Sequence, residues 1–323
     1  MNSVKRYTDL FKSGELDKRI EALETIALSC TLCPWECKVN RRRGERGVCQ
    51  AGSHLTVGKW LPHFGEEPVI TGSHGSGTVF FTHCNLKCSF CQNYQISQEH
   101  LGSPYSADKL AETMLSLQGQ GCHNINLVSP THFLPQILNA LKIAAGRGLT
   151  LPIVYNSNGY EKRSVLKILD GIIDIYLPDA KYGDERWAKR LSKANHYTHY
   201  NGTALIEMYR QVGNLILNEE GIAQRGLIIR HLVLPDDCAQ SEMVLKTIKE
   251  HLGTEVHISL MAQYFPTFCA SHYPLINRKL TPSEYHRSLS HLKTLGFENG
   301  WCQEPEEIEE TFIPDFTKTE SWN

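Results

Sequence analysis

The chain has 323 residues, 41% of them hydrophobic and 21% charged, which is enough to bury one large core or two modest ones. A formal net charge of −2 creates no global field for nucleic acid or an anionic membrane, and no apolar run approaches the roughly 20 residues of a membrane helix. The eleven cysteines are an odd number, and the N-terminus has no secretory apolar stretch, so the sequence reads as cytoplasmic with reduced thiols and no disulfide framework.

Residues 4–28 mix charged and apolar residues at helical spacing, which predicts one or two amphipathic helices. The loop-like segment SCTLCPWECKVNRRRGERGVCQAG follows, with Cys30, Cys33, Cys37 and Cys49 spaced C-x2-C-x3-C-x11-C. Four thiolates can close a tetrahedral zinc site or fully ligate an accessory iron–sulfur cluster, and spacing alone does not separate the two. Either centre would staple a segment that has little core of its own. Arg41, Arg42, Arg43 and Arg46 read as a solvated basic turn, with binding of an acidic protein partner or RNA as the alternative. The interleaved aromatics of a single-strand-binding platform are missing apart from Trp35, so nucleic acid is not an expected partner. Residues 1–70 thus form a helical, Cys-rich N-terminal extension.

From about residue 77 short apolar runs alternate with helical patterns. The runs cover 77–83, 124–129, 151–157, 172–178, 227–235 and 255–262, with helices expected over 106–118, 132–146, 241–253 and 281–296. Strands rich in Val, Ile and Leu and separated by helices predict an α/β fold of parallel strands covered by helices. Polar motifs follow every strand, as around one mouth of a barrel, and no Gly-rich dinucleotide fingerprint follows the first strand. The expectation is an incomplete (β/α)6 TIM-like barrel over 71–300. GSHGSG (72–77) precedes the strand and reads as a flexible turn, and residues 301–323 form an acidic tail, either solvated surface or a lid.

Directly after the first predicted strand comes HCNLKCSFCQNYQIS, in which Cys84, Cys88 and Cys91 are spaced C-x3-C-x2-C. Three thiolates on one loop can converge on a soft metal centre. A [4Fe-4S] cube held by three cysteines keeps one iron open to an external ligand, whereas structural zinc normally takes four closed ligands. The alternative is a zinc knot completed by His83 or a distant cysteine. Cys122, Cys238, Cys269 and Cys302 are isolated and read as small buried hydrophobes.

This motif resembles that of the radical S-adenosylmethionine (SAM) superfamily, and residues 29–300 are most similar to the branch of pyruvate formate-lyase activating enzyme and its relatives. The resemblance implies a cluster whose open iron binds the amino and carboxylate groups of SAM, and whose reduction cleaves SAM to methionine and a 5′-deoxyadenosyl radical. It also implies cofactor contacts at the strand ends. Where many members carry Gly-Gly-Glu-Pro, this chain reads Ser129-Pro130-Thr131-His132, lacking the acid and both glycines; Ser129 and Thr131 are still expected to face SAM. His132 is either a site residue or a capping or core histidine. Asn156-Ser157-Asn158-Gly159 resembles the family's Asp/Asn-x-Asn-Gly turn, and its Asn side chains suit ribose or methionyl recognition; an ordinary turn is the alternative. Asp179-Ala180-Lys181 resembles Asp-Leu-Lys, with Lys181 facing a carboxylate and Asp179 helping to bind a cation or fixing Lys181; a surface ion pair is the alternative. Arg230, inside an apolar strand, is expected to point into the barrel, and Gln263 and Tyr264 to close the SAM pocket.

The function so implied is hydrogen abstraction from a protein or peptide substrate, as in the glycyl-radical activases, with an electron donor such as flavodoxin or ferredoxin. Radical SAM modification of a small molecule or RNA is the alternative, and a non-catalytic zinc-binding scaffold is the alternative of another class.

Overall fold

The structure is a computed structural model describing residues 6–303 and 314–317. The glutamate-rich part of the predicted acidic tail, from Glu304, lies outside the described residues. Ten strands form one sheet: β1 (Leu55–His63), β2 (Ser76–Phe81), β3 (Ser103–Tyr105), β4 (Ile125–Val128), β5 (Ile153–Ser157), β6 (Ile175–Pro178), β7 (Ile216–Leu217), β8 (Ala223–Leu232), β9 (His257–Met261) and β10 (Gly300–Cys302). Their order is β10-β9-β8-β6-β5-β4-β2-β1-β3, with the short β7 beside β8. From β2 to β10 every neighbouring pair on this path is parallel and follows chain order. Consecutive parallel strands with helices between them curl in one direction. Among the described residues β10 does not pair back to β3, so the barrel is open.

Side-chain alternation shows which face is which. Ile153 and Tyr155 of β5, Tyr176 of β6, and Leu227 and Ile229 of β8 join the large core beneath the helices. Val154, Ile175, Leu177 and Ile228, one residue out of phase, form a separate apolar cluster in the lumen. Both faces are buried, which explains why these strands read as continuous apolar runs.

The intervening helices start and pack as their sequences dictate. In chain order the helices are α1 (Tyr7–Lys12), α2 (Glu15–Leu28), α3 (Pro68–Thr71), α4 (Tyr94–Ser97), α5 (Ala107–Gly119), α6 (Leu134–Gly146), α7 (Arg163–Leu166), α8 (Glu185–Ser192), α9 (Tyr197–Val212), α10 (Ser241–Leu252) and α11 (Pro282–Thr294). Ser106 caps α5 by accepting from the Lys109 amide, and Thr281 with Glu284 closes a capping box on α11.

The six predicted strands appear as β2, β4, β5, β6, β8 and β9. The N-terminal part, expected as an extension, is joined to the sheet by antiparallel pairing of β1 with β2, from Val57 opposite Phe81 to His63 opposite Ser76. That register carries the β1–β2 connection beneath the N-terminal ends of the parallel strands. There α3 puts Val69 and Ile70 into the lumen cluster as a floor. Phe316 packs on Phe80 of β2, their ring centroids 5.5 Å apart, beside Leu61 and Ile96. Arg6 ties the N-terminal helices down through Asp174 at 2.9 Å.

Candidate active site

The thiol loop leaves β2 at the C-terminal end of the parallel strands, the end where open α/β sheets and barrels build their sites. Cys84 and Cys88 are buried and Cys91 half-buried. Each sulfur faces a polar partner. The Leu86 amide donates to Cys84 Sγ at 3.4 Å and Asn158 Nδ2 does so at 3.3 Å. Ser192, at the end of α8, donates from Oγ to Cys88 Sγ at 3.0 Å, and Ser97 Oγ lies 3.2 Å from Cys91 Sγ. Donors aimed at sulfur favour thiolates and tune a cluster's potential. Burial pushes the Cys88 thiol up to about 12 against the opposing field of Lys181, so a cationic centre must replace the proton for this sulfur to be a thiolate. Among the described residues no group of three or more His, Cys, Asp or Glu is arranged to hold one metal ion. A four-iron cube takes a different iron at each thiolate, so the loop needs neighbouring sulfurs rather than one shared ion. The donor set fits such a cube.

The loops after β4, β5 and β6 surround this one. Asn158, buried, also donates to Asn85 Oδ1 at 2.7 Å, and Asn85 Nδ2 donates to the Tyr160 carbonyl at 2.9 Å. Gly159 next to it has φ +72°, and a Cβ there would fall 2.1 Å from the Asp179 carbonyl oxygen, so only glycine brings the β5 and β6 loops this close. Lys181 pairs with Asp179 at 2.6 Å. Burial opposes its charge, but Asp179, and behind it the Cys88 sulfur, raise its pKa above the ordinary lysine value. Ser129 sits at φ +57° with its amide donating to the Asn156 carbonyl, a left-handed conformation at a position where the resembling family carries glycine. Gln263 is half-buried; its carbonyl accepts from Gln92 at 2.8 Å and its Oε1 from Gln303 at 3.0 Å.

Four other candidates are committed elsewhere. Thr131 donates to Glu161 Oε1 at 2.6 Å in a buried pair. Arg230 does point into the lumen, but its guanidinium is held by Glu67 at 2.7 and 2.6 Å and by Glu66, with Asn156 Oδ1 at 3.4 Å. Against the upward push of burial, Arg230 and then His63 hold Glu66 at about 2. Tyr264 turns its hydroxyl to the Ile276 carbonyl at 2.5 Å and its ring to Phe90, so it is core rather than pocket wall. His132 is a buried core histidine on the Thr82 carbonyl at 2.7 Å. The Arg41–Arg46 loop is not wholly solvated, since Arg41 is buried on the His132 and Gly52 carbonyls.

Glu66, Glu67, Asn85, Glu161 and Ser192 were not visible as site residues in the sequence. Only Asn85, inside the cysteine motif, carried a positional signal. Glu161 is fully buried with Oε2 unpartnered, and burial pushes it up to about 8.

The Radical SAM superfamily model matches residues 78–215, a segment containing all three loop cysteines. Over 289 residues the chain is 34% identical to the uncharacterized protein MJ0674 of Methanocaldococcus jannaschii, covering 86% of this chain and 78% of that protein. Among solved structures it is similar to a radical SAM methyltransferase from Sphaerobacter thermophilus (TM-score 0.46, 14% identity, 69% of this chain and 66% of that one). It is also similar to HydG, a maturase of the [FeFe]-hydrogenase (TM-score 0.47, 13% identity, 67% and 48%). The chain thus spans between about half and two thirds of those solved chains. With the cysteine loop inside the matched segment, the chain belongs to the radical SAM superfamily.

Proposed function

We propose that this radical SAM enzyme holds its [4Fe-4S] cluster on Cys84, Cys88 and Cys91 and abstracts hydrogen from a protein or peptide, in the manner of a glycyl-radical activase. The observation that carries the reading is the thiol loop at the end of β2, with polar partners at all three sulfurs. When bound, the cluster and SAM supply one-electron reductive cleavage of SAM and an oxidant for a C–H bond. The chain's own groups bind and orient. Asn158 spans the cluster loop and the β5 turn, and so fixes Cys84 against the cofactor loops. Lys181, kept charged by Asp179, is suited to the carboxylate of SAM. Ser129, Asn156 and Gln263 present polar groups from the neighbouring strand ends. Arg230 and Thr131 act through the groups they hold, Arg230 on Asn156 and Thr131 on Glu161.

The sheet's open edge supports a macromolecular substrate, because a polypeptide loop needs an opening that a closed barrel lacks. Electrons would come from a protein such as flavodoxin or ferredoxin, and the setting is the cytoplasm. The test uses a deuterium-labelled cell extract split into protein, RNA and small-molecule fractions, each given to the reconstituted enzyme with SAM and reductant. Deuterium entering 5′-deoxyadenosine from the protein fraction is expected. Transfer from one of the other fractions alone overturns the protein-substrate reading.

A further inference from the structure

Residues 30–53 carry four thiols that the chemistry above does not use, and the backbone gathers them. The Cys30 amide donates to the Val39 carbonyl and its carbonyl accepts from Lys38, both at 2.9 Å, folding the Cys33–Cys37 stretch back on Cys30. Cys30, Cys33 and Cys49 are buried and Cys37 is half-buried, and all four are free. One of the sulfurs takes a backbone amide directly, Val48 donating to Cys37 Sγ at 3.4 Å. Gly47 leaves room for the arrangement, since a Cβ there would fall 2.6 Å from Cys37 Sγ. Amides aimed at sulfur reward a thiolate far more than a thiol.

The same segment grips three strand-end loops. Trp35 Nε1 donates to the Asn85 carbonyl at 2.6 Å and sets its ring edge-on to Tyr160, centroids 6.3 Å apart. Arg41 donates to the His132 carbonyl. Glu36 pairs with Lys162 at 2.5 Å. These contacts reach the loops after β2, β4 and β5 respectively.

We propose that Cys30, Cys33, Cys37 and Cys49 hold a thiolate metal centre, zinc or an iron–sulfur cluster, that locks residues 30–53 as a clamp across these three loops. Three buried sulfurs and a half-buried one stay neutral thiols without a metal, whereas a metal takes the place of their protons and stiffens a segment that has little core. Zinc would have to draw the sulfurs in around one ion, since no three of them are so arranged; a cluster takes one iron per sulfur. The proposal rests on the cofactor reading only for what the gripped loops hold.

The centre is tested by counting zinc, iron and sulfide in the anaerobically purified Cys84→Ala/Cys88→Ala/Cys91→Ala variant. The expected result is about one zinc, or a few irons with matching sulfide, per chain, lost when Cys33→Ala and Cys49→Ala are added. A variant with native circular dichroism and no metal overturns the centre. If that variant does not fold, the count is made by difference between wild type and Cys33→Ala/Cys49→Ala, and an unchanged count overturns it. The clamp is tested by amide exchange on the holoenzyme without SAM. In Cys33→Ala/Cys49→Ala, residues 84–91, 129–133 and 158–162 should exchange roughly tenfold faster, together with 30–53. Acceleration confined to 30–53 overturns the clamp. Neither readout needs SAM cleavage, so failure here and failure of the radical reading are distinguishable.

Discussion

Cys84 takes both a backbone amide and the Asn158 side chain at its sulfur, and Cys88 takes the Ser192 hydroxyl. Such donors stabilise the more negative, reduced state of a cluster. Ser192→Ala should therefore keep the iron content and lower the midpoint potential by about 60 mV, the one-electron equivalent of ~1.4 kcal/mol. An EPR-monitored redox titration reads this directly. Glu161 gives a pH signature. Burial raises its carboxyl from 4.5 to about 8 in the folded chain, so its contribution is intact below 4.5 and is lost as pH rises through about 8. Glu161→Gln should flatten that decline and be more stable than wild type at pH 8, by an amount on the order of a few kcal/mol. Urea melts at pH 5, 6.5 and 8 compare the two. At this scale the loop of Cys84, Cys88 and Cys91 stood out in the sequence because three cysteines at fixed spacing need no fold to be noticed, and it lies inside the matched segment. Arg41 did not, because a run of arginines reads as solvated until His132, 91 residues away, is seen to accept from it.

At the scale of elements, the β1–β2 connection is a floor as well as a link. Glu66 and Glu67 enter the lumen and meet Arg230 from β8, with side chains almost fully buried on both sides. Removing one partner strands buried charge. Arg230→Met should lower stability by about 3–5 kcal/mol, and adding Glu66→Gln and Glu67→Gln should recover part of that loss. Chemical denaturation of the single and triple variants checks it. The β5 turn makes a second case. Gly159→Ala forces a left-handed alanine against the Asp179 carbonyl, which should cost about 2–4 kcal/mol and reduce cluster loading. Denaturation together with iron analysis separates the two effects. Arg230 was legible as inward-facing from its apolar strand, but its partners were not, since the contacts span 163 and 164 residues.

For the whole molecule, the parallel strands were readable because both their faces are buried, so Val and Ile dominate without alternation. β1 escaped notice: its sequence LTVGKWLPH holds Gly58 and Pro62, and most of its residues are only half-buried. β10 is three residues long, and its pairing with β9 depends on a register that no local pattern encodes. The consequence for function is that the N-terminal part is not an appendage, because β1 extends the catalytic sheet and residues 30–53 lie across the loops of the site. The cysteine loop remains the centre of the account. The most direct measurement is 5′-deoxyadenosine formation by the anaerobically reconstituted protein with SAM and a strong reductant, beside Cys84→Ala. Product is expected from the wild type and none above background from the variant. Wild-type protein that takes up zinc but no iron, or a variant that forms as much product as wild type, would contradict it.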